Sequence, residues 1–318
     1  MRRGWWPGLA VAIGLLACGG EQVDTPVSSE SAGDPLAQAR AILARTPVFD
    51  GHNDLPWEIR ASEDAPMDVA AYDLNAPVSG HTNLERLRAG GVGAQFWSVY
   101  IPGEYADSGF ARLQLEQIDI ARRMIDRYPE LVLVGTADEV EAAMSEGRIA
   151  SMLGVEGGHA IENSLGALRV YYDLGARYMT LTHNVTLDWV DAAQDTARNG
   201  GLSGFGEEVV REMNRLGMLV DLAHVSPATM SDALNVSEAP VIFSHSSARA
   251  LTDVPRNVPD SILARMPANG GVVMVTFVQP FVNQDAADYD DRMAALVQEM
   301  RDAGTPAVSY THLRAHET

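Results

Sequence analysis

Cysteine is almost missing from this chain: Cys18 is the only one in 318 residues, so no internal disulfide can staple the fold. Stability must come from a packed core or from bound metal. Basic charge is also scarce, with 23 lysines and arginines against 43 aspartates and glutamates and a net charge of −20. A chain of that sign repels a phosphate backbone, which excludes nucleic acid as a main ligand. Residues 5–17 form an apolar stretch too short to span a bilayer as a mature helix. Internal repeats and low-complexity domains are absent.

What is present at the start is Arg2 and Arg3, then that apolar stretch, then Leu15-Leu16-Ala17-Cys18. This order reads as an export signal, residues 1–17, ending in a bacterial lipoprotein box in which Cys18 is lipidated. An ordinary signal peptide with an incidental cysteine is the alternative. Residues 18–33 are polar and rich in Ser, Gly and Pro, the composition of a flexible tether. The expected location is therefore a lipid-anchored position in the cell envelope, facing the periplasm. Asp34-Pro35 looks like an N-cap followed by proline at the first helical position, so folded structure should begin there.

From residue 34 to 304 strand and helix patterns alternate. Strand candidates cover residues 48–50, 92–100, 149–155, 178–182, 218–222, 241–244 and 272–278, with 131–134 as an extra. Alternation of near-continuous apolar strands with helices predicts an α/β fold built on a parallel sheet. The length fits one (β/α)8 barrel of the TIM type, which uses roughly 250 residues. Seven barrel strands are counted where eight are needed, so the barrel is expected to be truncated before its eighth strand. Residues 305–318 show neither alternation nor capping and read as a non-native tail.

The chemistry sits at the carboxyl ends of these runs, where a parallel barrel presents its reactive groups. His52 and Asp54 follow the first run, Glu156 the third, His224 the fifth and His245 the sixth. His52-Asn53-Asp54 is a His-x-Asp pair, and in extended backbone residues two apart face the same side. Alone it is a weak signal. Glu156 ends a buried-type strand, where a carboxylate must be paired or metal-bound. Three histidines and two carboxylates at one end of successive strands suit two divalent metals sharing one carboxylate.

His183 lies on the same rim and reads either as a donor to a developing oxyanion or as a loop histidine. Arg256, on the loop after the His245 strand, suits bidentate capture of a carboxylate. His159 reads either as a partner that orients Glu156 or another ligand, or as a structural hydrogen-bonder. Asp188, Asp191 and Asp195 are rim charges or substrate contacts, and Trp57, Trp97 and Trp189 line the pocket mouth or pack. His312 and His316 fall in the suspect tail and are discounted.

Seven motifs carry a resemblance: Val48-Phe49-Asp50-Gly51-His52-Asn53-Asp54-Leu55-Pro56-Trp57, Gly91-Val92-Gly93-Ala94-Gln95-Phe96-Trp97-Ser98-Val99-Tyr100, Gly154-Val155-Glu156-Gly157-Gly158-His159, Leu181-Thr182-His183-Asn184, Asp221-Leu222-Ala223-His224-Val225-Ser226, Phe243-Ser244-His245-Ser246-Ser247-Ala248 and Arg256-Asn257-Val258-Pro259-Asp260. In this order they are similar to the membrane (renal) dipeptidase family of zinc peptidases. The resemblance implies an amidohydrolase-like barrel with two Zn2+ ions, one held by His52 and Asp54, the other by His224 and His245, with Glu156 bridging. It further implies that a hydroxide shared by the metals attacks a dipeptide whose carbonyl His183 polarises and whose free C-terminal carboxylate Arg256 binds. Homodimers are frequent in the family.

A further acidic residue follows the eighth strand in family members and has no counterpart in this sequence, which leaves the proton donor to the leaving amine unassigned. Two alternatives stand beside a dipeptidase: a related metal-dependent amide or lactam hydrolase, and a catalytically impaired metal-binding lipoprotein.

Overall fold

Pro35 follows Asp34, whose carboxylate accepts from the Leu36 amide at 3.0 Å, and the helix Pro35–Leu43 forms where the sequence predicts one. The computed structural model describes residues 34–78, 80–103 and 109–302. The export signal, Cys18, the tether and the 305–318 tail lie outside the described residues. Two units divide the chain, residues 1–41 and 42–318, and every strand among the described residues lies in the second.

Its strands are β1 (Val48–Asn53), β2 (Val92–Ser98), β3 (Leu131–Leu133), β4 (Ile149–Glu156), β5 (Ala176–Thr180), β6 (Leu219–Asp221), β7 (Ile242–Phe243) and β8 (Val272–Val273). Seven of them pair in parallel along the path β1-β2-β4-β5-β6-β7-β8, and β3 pairs in parallel with β4 beside it. Parallel neighbours require crossovers, and helices such as Phe110–Arg127, Leu165–Asp173, Gly204–Leu216 and Pro227–Val236 supply them. Helix starts are chemically marked: Ser164, Ser203 and Ser226 each accept a backbone N–H of the first turn, and Thr136 with Glu139 closes a full capping box on the helix Ala137–Ser145.

β4 is buried at every position, as a strand covered on both faces must be, and it lies at the middle of the core. The sheet curls so that its first strand reaches its last turns. Gly51 in β1 lies so close to the Ser244 carbonyl, just past β7, that a Cβ there would collide with it. This is the curled sheet of a barrel, an α/β fold with seven strands on the path and no eighth among the described residues. The extra strand β3 pairs with the first half of β4 on the edge whose second half pairs with β5, so it widens the sheet without joining the path.

Several boundaries differ from the sequence reading. β1 runs through His52 to Asn53, so that histidine lies in the strand. Asp54 leaves extended geometry, with φ −87° and ψ 16°, and β1 carries a register irregularity between Asp50 and Asn53. The extended His-x-Asp geometry is therefore not what brings the two side chains together; a kinked strand end and the start of the helix Leu55–Ala61 do so. β8 covers two residues where seven were expected, and beyond it Val275 and Phe277 are exposed. Without a strand hydrogen-bonded on both sides, an apolar run keeps little regular pairing.

Candidate metal centre

Glu156, the last residue of β4, is 3% exposed, and its two carboxylate oxygens face different groups. Oε2 accepts from Ser98 Oγ at 3.0 Å and lies 3.4 Å from His52 Nε2. Oε1 lies 3.0 Å from His224 Nε2, 3.5 Å from His245 Nε2 and 3.8 Å from His183 Nε2. Burial alone would raise this carboxyl, but His52, His224 and His183 around it hold it well below the usual carboxylate range. It stays ionised at the centre of four imidazoles.

Each of three rings is held by its other nitrogen. His52 Nδ1 lies 3.0 Å from the Tyr178 hydroxyl, His224 Nδ1 3.0 Å from Asn184 Oδ1, and His245 Nδ1 2.8 Å from Ser244 Oγ. Their Nε2 atoms therefore point inward, and those of His224 and His245 stand 2.9 Å apart. His224 adopts φ 66°, a left-handed conformation unusual for a residue with a Cβ, and such strain collects at functional sites.

Burial pushes His224 and His245 well below the normal histidine range, reinforced by the positive Arg256 nearby, so both rings are neutral and offer lone pairs. Burial lowers His183 in the same direction, against the pull of Glu156. His52 behaves oppositely: burial would lower it, but Glu156 and Asp54 raise it well above normal. The inner space thus attracts positive charge.

Three facts test whether a metal fits. Inward Nε2 atoms and a carboxylate are the donor set of zinc-type sites. Asp54 Oδ1 is sealed from solvent and stands 3.2 Å from His52 Nε2 without forming a hydrogen bond. Among the described residues two groups bring ligand atoms within reach of one ion, His52 with Glu156 and His245, and Glu156 with His183 and His224. Glu156 belongs to both, as a bridging carboxylate would. The grouping differs from the expected one in placing His245 with His52, in drawing in His183, and in leaving Asp54 outside both groups.

Arg256 is 2% exposed and lies under the Phe281 ring, its guanidinium 5.2 Å from the ring centroid. It donates to the His245 carbonyl at 3.2 Å and to Ser246 Oγ at 3.4 Å. Burial brings it down to about 10, against the pull of Glu156 and Asp221, so it remains a cation at neutral pH. His159 hydrogen-bonds the Ile101 carbonyl at 2.8 Å through Nε2 and packs against Phe110, which ties the turn after β4 to the chain after β2.

Asp191 is wholly buried and binds the amides of Arg198, Asn199 and Gly201, so it shapes its own loop, while Asp195 accepts from the Thr186 amide and Asp188 is exposed. Trp97 and Trp189 are core residues. Trp57 meets Tyr100 edge-on, and Tyr100 packs on His183 with ring centroids 4.8 Å apart, so this aromatic pair borders the site. The supporting groups Ser98, Asn184, Asp221 and Ser244 lie inside the quoted motifs and Tyr178 inside a strand candidate, but the sequence assigned none of them a role. Two of them had a visible signal, since Asn184 and Ser244 each adjoin a candidate histidine.

Comparison with known proteins places the chain in a family. A model of the membrane dipeptidase family, peptidase family M19, matches residues 36–309. Dipeptidase 3 of Mus musculus is 48% identical over 244 residues, covering 75% of this chain and 48% of its own length. The chain thus spans about half of that relative. A metallopeptidase from Rhodobacter sphaeroides, solved with a phosphinate mimic of the dipeptide L-Ala-D-Ala, superposes with a TM-score of 0.66 at 25% identity over 75% of this chain and 76% of its own. A dipeptidase of family M19 gives 0.67 at 26% identity over 75% and 74%. With the family model spanning most of the sequence and the histidine–carboxylate cluster at the ends of its strands, this chain belongs to the membrane dipeptidase family, peptidase family M19.

Proposed function

We propose that the chain is a dipeptidase holding two zinc ions, and the observation that carries this reading is Glu156, whose two oxygens face separate imidazole sets. His52 and Asp54 would hold one ion, His224 and His245 the other, with Glu156 shared. Bound there, the metals would polarise the scissile carbonyl and lower the pKa of water toward neutrality.

The remaining work falls to the chain's own groups. His183 Nε2 stands farthest of the four histidines from Glu156, at 3.8 Å, which leaves it to donate a hydrogen bond to the carbonyl oxygen as charge gathers there. Its neutral state, favoured by burial, keeps one N–H for that purpose. Arg256 would pair with the free C-terminal carboxylate of the substrate, since a buried guanidinium selects a planar anion. Glu156, ionised and anchored by Ser98, neutralises the cationic centre.

A dipeptide, its C-terminal amide and a simple lactam, offered to zinc-loaded protein, test the proposal. Turnover of the dipeptide alone is expected; equal turnover of the amide would remove Arg256 from the substrate site, and turnover of the lactam alone would favour the amide or lactam hydrolase reading.

Lipidation of Cys18 is also proposed, on the Leu15-Leu16-Ala17-Cys18 box. No helix among the described residues is long and apolar enough to cross a membrane. Cys18→Ser should release the protein from membranes, and retention there would contradict the anchor.

A further inference from the structure

Asp221, the last residue of β6, is fully buried and accepts four hydrogen bonds. Its Oδ1 takes the Ser244 amide at 2.8 Å and the Ala223 amide at 3.1 Å, while Oδ2 takes the hydroxyls of Ser244, at 2.7 Å, and Thr180. Ser244 Oγ in turn lies 2.8 Å from His245 Nδ1. We propose that Asp221 is a positioning residue that, through Ser244, fixes His245 as the Nδ1–H tautomer and so presents its Nε2 lone pair to the metal centre.

Hydrogen-bond polarity sets the tautomer. A carboxylate only accepts, and a serine hydroxyl has one proton to give. With that proton committed to Asp221, Ser244 can meet His245 only as an acceptor, so the ring must donate from Nδ1. Its Nε2 is then unprotonated, 3.5 Å from Glu156 Oε1. Thr180 cannot relieve the demand, because it also spends its hydroxyl proton on Asp221. Partners of this kind tune metal-binding histidines generally. The inference rests on the reading of His245 as a ligand.

A residue that merely ties β5, β6 and β7 together would behave differently when replaced by its isostere. In Asp221→Asn the side-chain oxygen must still take the two backbone amides, so the new NH2 lies where Oδ2 was and donates to Ser244. The serine proton then turns to His245 Nδ1, and the ring proton moves to Nε2, where it blocks a cation.

The test uses long-range 1H–15N correlation of 15N-histidine-labelled, metal-free protein, with zinc affinity measured by chelator competition. Nδ1-protonated His245 is expected in the parent, Nε2-protonated His245 in Asp221→Asn, and zinc binding there 10- to 100-fold weaker. An unchanged tautomer, or affinity within twofold of the parent, overturns the proposal. Should Asp221→Asn fail to fold, Ser244→Ala and Ser244→Thr serve instead: Ala should weaken zinc and mix the tautomers, Thr should restore both, and equal behaviour of the two overturns it. If the parent binds no zinc, the dipeptidase reading fails by itself while the tautomer spectra still decide this one.

Discussion

Tyr178 couples the core to the metal centre: its hydroxyl lies 3.0 Å from His52 Nδ1, and its ring rests on Gly154 of β4 so closely that a Cβ there would fall on the ring. Gly154 is thus required by close approach. Gly154→Ala should overpack the barrel by about 1–3 kcal/mol and displace His52 with the ring. Tyr178→Phe should keep the packing and lose only the hydrogen bond, weakening zinc roughly 10-fold. Urea unfolding and zinc titration of the two variants check this, and a Gly154→Ala variant as stable as the parent would contradict the packing.

His183 and Arg256 should separate in kinetics. His183→Ala removes a donor needed as charge develops, so kcat should fall by about 10²–10³ with KM little changed. Arg256→Met should instead lower kcat/KM for a free dipeptide by roughly 10²-fold, down toward the rate of its C-terminal amide. Steady-state rates on both substrates provide the measurement.

Metal removal should destabilise the fold, because ligands buried in the native centre are scattered in the unfolded chain. Zinc at 100 times its Kd contributes about 2.7 kcal/mol per site, which for a domain of this size raises Tm by roughly 5–10 °C. Differential scanning calorimetry with chelator and then with added zinc reads the shift.

Away from the site, Glu212 is held by Arg215 and Arg169 at about 2, down from 4.5. A depressed carboxyl contributes stability above its unfolded pKa and loses it as pH falls toward the folded one. The stability gap between the parent and Glu212→Gln should therefore be full at pH 6, shrink below about 4.5 and vanish near 2. Denaturant curves across that range test the sign.

The positions of His52, Glu156, His224 and His245 were legible because each ends an apolar run or adjoins one, and chain order alone sets them on one rim. Asp54 stands apart: the extended spacing does not describe it, because the backbone leaves strand geometry there, and the ligand groups of the structure form without it. Tyr178 and Asp221 were not legible, because a polar atom inside a β-run looks like any strand residue until the neighbouring strands are in place. β8 was overextended: Val272-Val273-Met274-Val275 carries strand propensity, but pairing depends on partners that propensity does not supply.

Metal stoichiometry tests the central claim most directly. Elemental analysis of zinc-dialysed protein should give two zinc ions per chain, and Glu156→Gln, which removes the shared charge, should retain no more than one and lose dipeptide hydrolysis. A parent binding fewer than two, or a Glu156→Gln variant that keeps both, would contradict a centre built on that carboxylate.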